Sequence, residues 1–211
     1  MSKGDTERRR MMGFPELSEA LGADNPGEVL LAWRETGKLA ALLPEIDRLF
    51  GEPQRPEHHP EIDTGIHTMM VVDVAASLTT DRAIRFAALV HDIGKGVTPT
   101  ELLPSHPGHG EAGARLVEPM VRRLDAPERY GDLGTLAARW HSSIHQIKRL
   151  TPEAIAKVFD GIGAHRRPEI LEALLIAAEA DKRGRKGYED SVYSQSEQWR
   201  RALATCSCRP A

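Results

Sequence analysis

DRAIRFAALVHDIGKG, residues 81–96, decides how this chain is read. Asp81 is a residue type that caps helix N-termini, and the apolar positions behind it recur at helical rather than alternating spacing. The run then ends in His91 and Asp92, followed by Gly94 and Gly96. A helix is therefore expected here, with two metal-capable side chains leaving its apolar end. Such a pair means little alone. Its meaning depends on what else folds back onto it.

Working outward, the same helical pattern returns along the chain. NPGEVLLAWRETG (25–37) has Asn25 and Pro26 as start signals and Gly37 as a stop. In IHTMMVVDVAASL (66–78), Ile66, Met70, Val74 and Leu78 fall on one expected face. GEAGARLVEPMVRRL (110–124) carries Leu116, Met120 and Leu124 at a four-residue step. TPEAIAKVFDGI (151–162) opens with Thr-Pro-Glu, and RPEILEALLIAAEADK (167–182) reads as a long, well-patterned helix. Alternation of period two is missing over any useful length, so the expected fold class is all-α.

Two stretches read as connections, FGEPQRPEHHPEIDTG (50–65) and GKGVTPTELLPSHPGHG (94–110), both rich in Pro and Gly. Long connections in compact domains are often functional. The expected organisation is a flexible N-terminus (1–13), an N-terminal helical segment with its linker (14–55), a main domain (56–187), and a C-terminal helix and tail (188–211). The helix is expected around Trp199, with a loose end after it.

Composition bounds the rest. Of 211 residues, 40% are hydrophobic and 28% charged, which suits a packed core; aromatics at 5% make that core mostly Leu, Ile, Val and Ala. A formal net charge of −3 argues against coating nucleic acid by bulk charge but leaves room for a local basic patch. No apolar run approaches the roughly 18–20 residues of a membrane span, so no membrane partner is expected. The charged start lacks the apolar stretch of a secretory leader. Cys206 and Cys208 sit too close together to staple a fold. A cytoplasmic location is expected.

Nine histidines are present. His67 lies just inside a helix, His91 and Asp92 end the next, His109 sits in HPGHG, His141 ends LAARWH, and Asp181 follows LLIAAEA. A lone histidine beside apolar residues is more often a hydrogen-bonded core group, and a lone aspartate at a helix end more often a cap. Jointly they differ. Asp92 and Asp181 both continue apolar faces inward, and two buried carboxylates without a partner cost several kcal/mol. A divalent metal would neutralise them and use the imidazoles too.

The order His … His-Asp … Asp at His67, His91, Asp92 and Asp181 resembles the HD superfamily of metal-dependent phosphohydrolases, and HDIGKG is a specific form of its signature. That resemblance implies an all-α HD-domain helical bundle, here with a small N-terminal helical extension. Some HD families add two histidines and a second ion; His109 in GHGEAG and His141 in WHSSIH resemble those positions. More narrowly, LLPEIDRLFG, HHPEIDTGIHT, HDIGKG, HPGHGEAG and AEADKRGR look like the C-terminal half of bacterial CCA-adding tRNA nucleotidyltransferases, over about residues 15–187. The Gly-Ser turn and paired Asp-x-Asp of that family's catalytic head are not found here, so CTP and ATP addition is not carried over. The resemblance implies hydrolysis of 2′,3′-cyclic phosphates or 2′-phosphomonoesters of nucleotides or RNA ends, tRNA included.

The ligand types fit Ni, Mn or Co better than structural zinc, with Mg compatible but poorly suited to histidine; one or two ions are expected. Such an ion lowers the pKa of the water it binds. Lys95, three residues beyond Asp92, is the first candidate for a cation stabilising phosphoryl charge. Arg183 and Arg185 are candidates for further phosphate contacts, with a solvated basic turn as the plainer alternative. Three functions compete: this phosphoesterase, a nucleoside monophosphatase of the 5′-deoxynucleotidase kind, and a non-catalytic tRNA-binding remnant. The intact ligand set argues against the last.

Overall fold

The computed structural model describes residues 13–57 and 59–207. The flexible start expected over 1–13 falls almost wholly outside them, as do Cys208 and the end of the tail. Among the described residues there is no strand; the β pairing present is an isolated bridge between Pro53 and Asp63. The helices are α1 (Phe14–Leu21), α2 (Pro26–Glu35), α3 (Lys38–Leu42), α4 (Pro44–Asp47), α5 (Thr64–Leu78), α6 (Arg82–Val90), α7 (His109–Leu124), α8 (Glu128–His145), α9 (Pro152–Ile162), α10 (Pro168–Arg183) and α11 (Gln195–Ser207). Short 3-10 turns cover Ile93–Val97, Thr100–Leu102 and Ile147–Arg149. The fold is all-α, as the periodicity predicts.

Start signals act largely as the sequence suggests. Asp81 accepts from the Ala83 amide at 2.9 Å, and Thr151 from Ala154 at 3.3 Å. Gly37 adopts φ 75°, the left-handed conformation of a helix stop. Asn25 differs: it occupies the cap position of α2 without using its side chain. Asp73 of α5 takes the Gly27 amide instead, at 2.6 Å, so α2 is capped from another helix.

The expected face of α5 is corrected. Ile66 is exposed and Met70, Val74 and Leu78 are only partly covered, while His67, Thr68, Met69, Val71, Val72 and Ala75 are buried. The reason is position: α5 is packed between α2, α6 and α10, so most of its circumference is interior and the apolar count no longer picks a side. The C-terminal helix is longer than expected, running from Gln195 to Ser207, with Trp199 fully buried and its indole N–H donating to the Ile144 carbonyl at 2.9 Å.

The N-terminal helices share a core with the main body. Leu17, Leu21, Leu30, Leu39 and Ile46 pack in one cluster with Met69, Val72, Phe86, Leu89 and Val117. Arg85 ties the two parts through polar contacts. It is buried, and its guanidinium donates to the carbonyls of Leu21 and Ala23 beyond α1 and of Ala76 and Thr79 at the end of α5, at 2.7–3.0 Å. These carbonyls have no partner within their own helices, so one cation satisfies two helix ends. A second cluster joins Phe159, Ile162, Leu171, Leu174 and Trp199 with Leu133 and Ala87.

The chain direction of these packed helices brings five termini to one end of the bundle. The starts of α5 and α7 meet the ends of α6, α8 and α10 there. Segments 50–57 and 59–63 cross that end as a strap. The Gln54 amide donates to the Ile62 carbonyl at 2.7 Å, and Thr64 donates to the Glu52 carbonyl through both its amide and its hydroxyl, at 3.0 and 2.9 Å.

Candidate metal centre

Each of the five termini contributes a ligand type to one side-chain cluster. His67 comes from the first turn of α5, His91 and Asp92 from the end of α6, His109 from the start of α7, His141 from the last turns of α8, and Asp181 from the end of α10. Their donor atoms form two adjoining trios, His67–His91–Asp181 and Asp92–His109–His141. Asp92 stands between them. Its Oδ1 lies 3.3 Å from His141 Nε2 and 3.5 Å from His109 Nε2, while its Oδ2 lies 3.2 Å from His91 Nε2.

The imidazoles are oriented from behind. His91 Nδ1 lies 2.7 Å from the Ala88 carbonyl, His109 Nδ1 2.7 Å from that of His106, and His141 Nδ1 3.0 Å from that of Ala138. A carbonyl only accepts, so each Nδ1 carries the hydrogen, and a neutral ring then presents its Nε2 lone pair inward. His67 differs: Glu61 Oε1 stands 2.9 Å from its Nδ1 as an ion-pair contact without hydrogen-bond geometry, and its Nε2 lies 3.1 Å from Asp181 Oδ1.

The result is a set of inward-facing acceptors with few donors to meet them, the Ser142 hydroxyl 3.1 Å from His141 Nε2 being one. His109 Nε2 and His141 Nε2 face each other at 3.1 Å, two acceptors in the neutral tautomers just assigned. His91 Nε2 and Asp92 Oδ1 are buried without a hydrogen bond. Converging imidazole nitrogens around two carboxylates, with His91, His109 and His141 fixed by a carbonyl behind each, are a donor set that suits a divalent metal. The residues present therefore fit such an ion.

Electrostatics agree. Burial opposes charge on Asp92, yet Lys95 and then His91 hold its carboxyl well below the usual range. Asp181 is likewise held low against burial by Arg185, His145 and His91. Burial alone would lower His67, but its contacts with Asp181 and Glu61 outweigh it and raise the pKa; Asp92 does the same for His141. For His109 burial prevails and pushes the imidazole down to about 4. Two ionised carboxylates in a buried site thus favour positive charge on His67 and His141, while burial prevails at His109.

Of the predicted cations, the structure brings two to the site and leaves one out. Lys95 is buried, with Nζ 2.6 Å from Asp92 Oδ2 and 2.5 Å from Gln54 Oε1. Arg185 reaches Asp181 Oδ1 at 3.1 Å. Arg183 turns elsewhere, donating to the Glu189 carbonyl at 2.8 Å and pairing with Glu179 at 3.2 Å. Arg185 lies past the end of α10, where the chain folds it back onto Asp181, whereas Arg183 is still in the last turn and points away.

Several site residues were not singled out from the sequence. His145, one turn beyond His141, places Nε2 2.6 Å from Asp181 Oδ2, and its Nδ1 lies 3.0 Å from the Tyr193 hydroxyl. The strap supplies Gln54 on Lys95, Glu61 on His67, and His59, whose ring stands edge-on to His67. The four-residue step from His141 to His145 was a usable signal. The strap residues carry none, because an irregular segment has no periodicity to read.

Gly94 and Gly113 set the height of α7 over this centre. A Cβ on Gly94 would lie 2.0 Å from the His109 carbonyl oxygen and 2.5 Å from the Gly113 nitrogen. Only glycine lets the turn after Asp92 touch the first turns of α7. That contact is what seats His109 above Asp92.

Comparison with known proteins agrees with this geometry. The HD domain family model matches residues 64–185, more than half of the chain and inclusive of every ligand named above. The multifunctional CCA protein of Thioalkalivibrio sulfidiphilus (strain HL-EbGR7) is 49% identical over 193 residues, covering 92% of this chain and 47% of the relative. This chain thus spans about half the length of that curated relative. It belongs to the HD-domain family of metal-dependent phosphohydrolases, and what it matches in the longer relative is the HD-domain half.

Proposed function

We propose that this chain is a metal-dependent phosphoesterase of the cytoplasm that hydrolyses 2′,3′-cyclic phosphates and 2′-phosphomonoesters at nucleotide or RNA ends, tRNA among them. The observation that carries the metal-dependent part is the convergence of His67, His91, Asp92, His109, His141 and Asp181, with His91, His109 and His141 each fixed from behind by a backbone carbonyl. The substrate class follows the kinship with the multifunctional CCA protein. His67, His91, Asp92 and Asp181 would hold one ion, and His109 and His141 with Asp92 a second. Mn, Co or Ni suits this mixture of imidazole and carboxylate. When bound, the ion supplies Lewis acidity to water and to a phosphoryl oxygen.

The chain's own groups do the remaining work. Lys95, held between Asp92 and Gln54, lines the cavity of about 410 Å³ above the ligands and offers a fixed positive charge to the non-bridging oxygens of phosphorus. Asp92 and Lys95 are the catalytic pair of this reading. His145 keeps Asp181 in place: burial lowers its pKa, so the neutral ring donates its Nε2–H to Asp181 while Nδ1 accepts from Tyr193. Arg185 fixes the other oxygen of Asp181. No helix among the described residues is long and apolar enough to cross a membrane, and no membrane partner is proposed.

A panel of 2′-AMP, 3′-AMP, 5′-dAMP and 2′,3′-cyclic AMP, each with Mn, Co, Ni and Mg, tests the reading. Turnover of the cyclic and 2′ esters is expected. Turnover of 5′-dAMP alone would move the protein to the deoxynucleotidase class. No turnover of any ester by ion-loaded protein would contradict a catalytic role.

A further inference from the structure

The cavity extends beyond the ligands, and its outer wall is basic. Asp92 and Asp181 are the carboxylates that line it among the described residues, whereas Lys95, Arg149, Lys182 and Arg185 line it as cations. Two of those cations are already matched, Lys95 by Asp92 and Arg185 by Asp181. The other two are not: among the described residues the side chains of Arg149 and Lys182 form no ion pair. The Lys182 ammonium lies 3.4 Å above the Tyr188 ring, which positions it without cancelling its charge. Arg149 comes from the 3-10 turn that follows α8, and Lys182 from the last turn of α10. The turn just after the helix of His141 and the helix of Asp181 thus also deliver a pair of unmatched cations to the cavity, in a chain whose net charge is −3. Gln146 and Gln195 line the same wall and add amide donors.

The opposite side of Lys95 is narrower. A second cavity, sharing His59, Lys95 and His109 with the first, measures about 160 Å³. That is below the roughly 300 Å³ at which ordinary ligand pockets begin, and the 410 Å³ cavity is above it. A substrate longer than one nucleotide therefore leaves the ligands on the Arg149–Lys182 side.

We infer that Arg149 and Lys182 form a subsite for the backbone phosphate of the nucleotide preceding the reacting end, which makes an oligonucleotide end a better substrate than a free mononucleotide. The guanidinium fork grips two phosphate oxygens and the ammonium adds a point charge. This inference rests on the phosphoesterase reading above.

The test compares 2′,3′-cyclic AMP with the dinucleotide ApA ending in a 2′,3′-cyclic phosphate, for wild type, Arg149→Ala and Lys182→Ala. Wild type is expected to favour the dinucleotide in kcat/KM by about tenfold or more, the scale of one charge-assisted phosphate contact. That ratio falls toward one in each variant, mainly through KM, and falls in wild type as salt rises. Equal kcat/KM for both substrates in wild type, or an equal loss on both in the variants, overturns the subsite. A second arm separates this from failure of the enzymatic reading. Fluorescein-labelled tetra-adenylate with a free 3′-hydroxyl is titrated by anisotropy, without turnover. If neither cyclic ester is cleaved, the functional reading falls, but the subsite stands where Arg149→Ala/Lys182→Ala weakens tetra-adenylate binding about tenfold, and falls where binding is unchanged.

Discussion

The two ligand trios are held by different means. His67, His91 and Asp181 lie on three packed helices and are at most 2% exposed. Their positions follow from the core of α5, α6 and α10, where Val71, Ala75, Ala88, Ala177 and Ala180 pack together directly behind them. In the second trio, His109 is partly exposed and reaches Asp92 because two glycines let α7 touch the turn after it. The deep trio is set by core packing and the rim trio by one close backbone contact. A site with both can keep one ion tightly while leaving the other open to ligand. Asp92 is a member of the rim trio and also faces the deep one, its Oδ2 3.2 Å from His91 Nε2, with Lys95 on that same oxygen.

The largest effect is expected where the comparison collapses. Asp92→Ala removes the carboxylate of the rim trio that also faces His91 of the deep one, so hydrolysis of 2′,3′-cyclic AMP falls by more than the ~100-fold that loss of an outer partner alone can cost. Far-UV circular dichroism retains its helical signal. Wild-type turnover by an ion-loaded Asp92→Ala sample contradicts the role given to this carboxylate.

Gly94→Ala separates the trios. Its Cβ clashes with the backbone of α7 and not with α5 or α10, so the rim loses an ion while the deep trio keeps its own. Elemental analysis should read about two ions per chain in wild type and about one in the variant. Unchanged stoichiometry means the glycine contact does not seat His109. Glu61→Gln acts on the deep side alone: without a carboxylate on His67 Nδ1, ion affinity drops about 10- to 100-fold by calorimetry. An equal drop at both sites would blur the distinction drawn here.

The smallest effect lies away from both trios. Asp81→Ala removes the α6 cap and should lower stability by about 1 kcal/mol at neutral pH, read from denaturant midpoints. The Arg129 guanidinium beside Asp81, together with the Ala83 amide, holds its carboxyl below the ordinary 3.8. A lowered carboxylate pKa contributes above the unfolded value and is lost below it, so the gap between wild type and variant should shrink as pH drops under about 4. A gap independent of pH would mean the carboxylate charge plays no part.

The helices and the deep trio were legible because both leave periodic traces. Apolar faces that run into Asp92 and Asp181 demand a partner for the buried charge, and that demand survives without any three-dimensional information. The face chosen on α5 failed for a related reason: a helix covered on three sides shows apolar residues all round, so Ile66 looked as interior as Val72. Arg183 and Arg185 were indistinguishable as a basic turn, although the four-residue step from Asp181 favoured Arg185. His145 was passed over because only His141 of WHSSIH was singled out; α8 runs on to residue 145 and carries both. Glu61, Gln54 and His59 act from an irregular strap, where contact partners are fixed by the fold and not by any repeat in the chain.

The central claim is that these six side chains form a metal centre, and anomalous diffraction tests it directly. Crystals grown with Mn should show an anomalous peak within bonding distance of His67, His91, Asp92 and Asp181, with a weaker second peak among Asp92, His109 and His141. Ordered side chains pointing apart, with no anomalous density in either trio, would contradict the account.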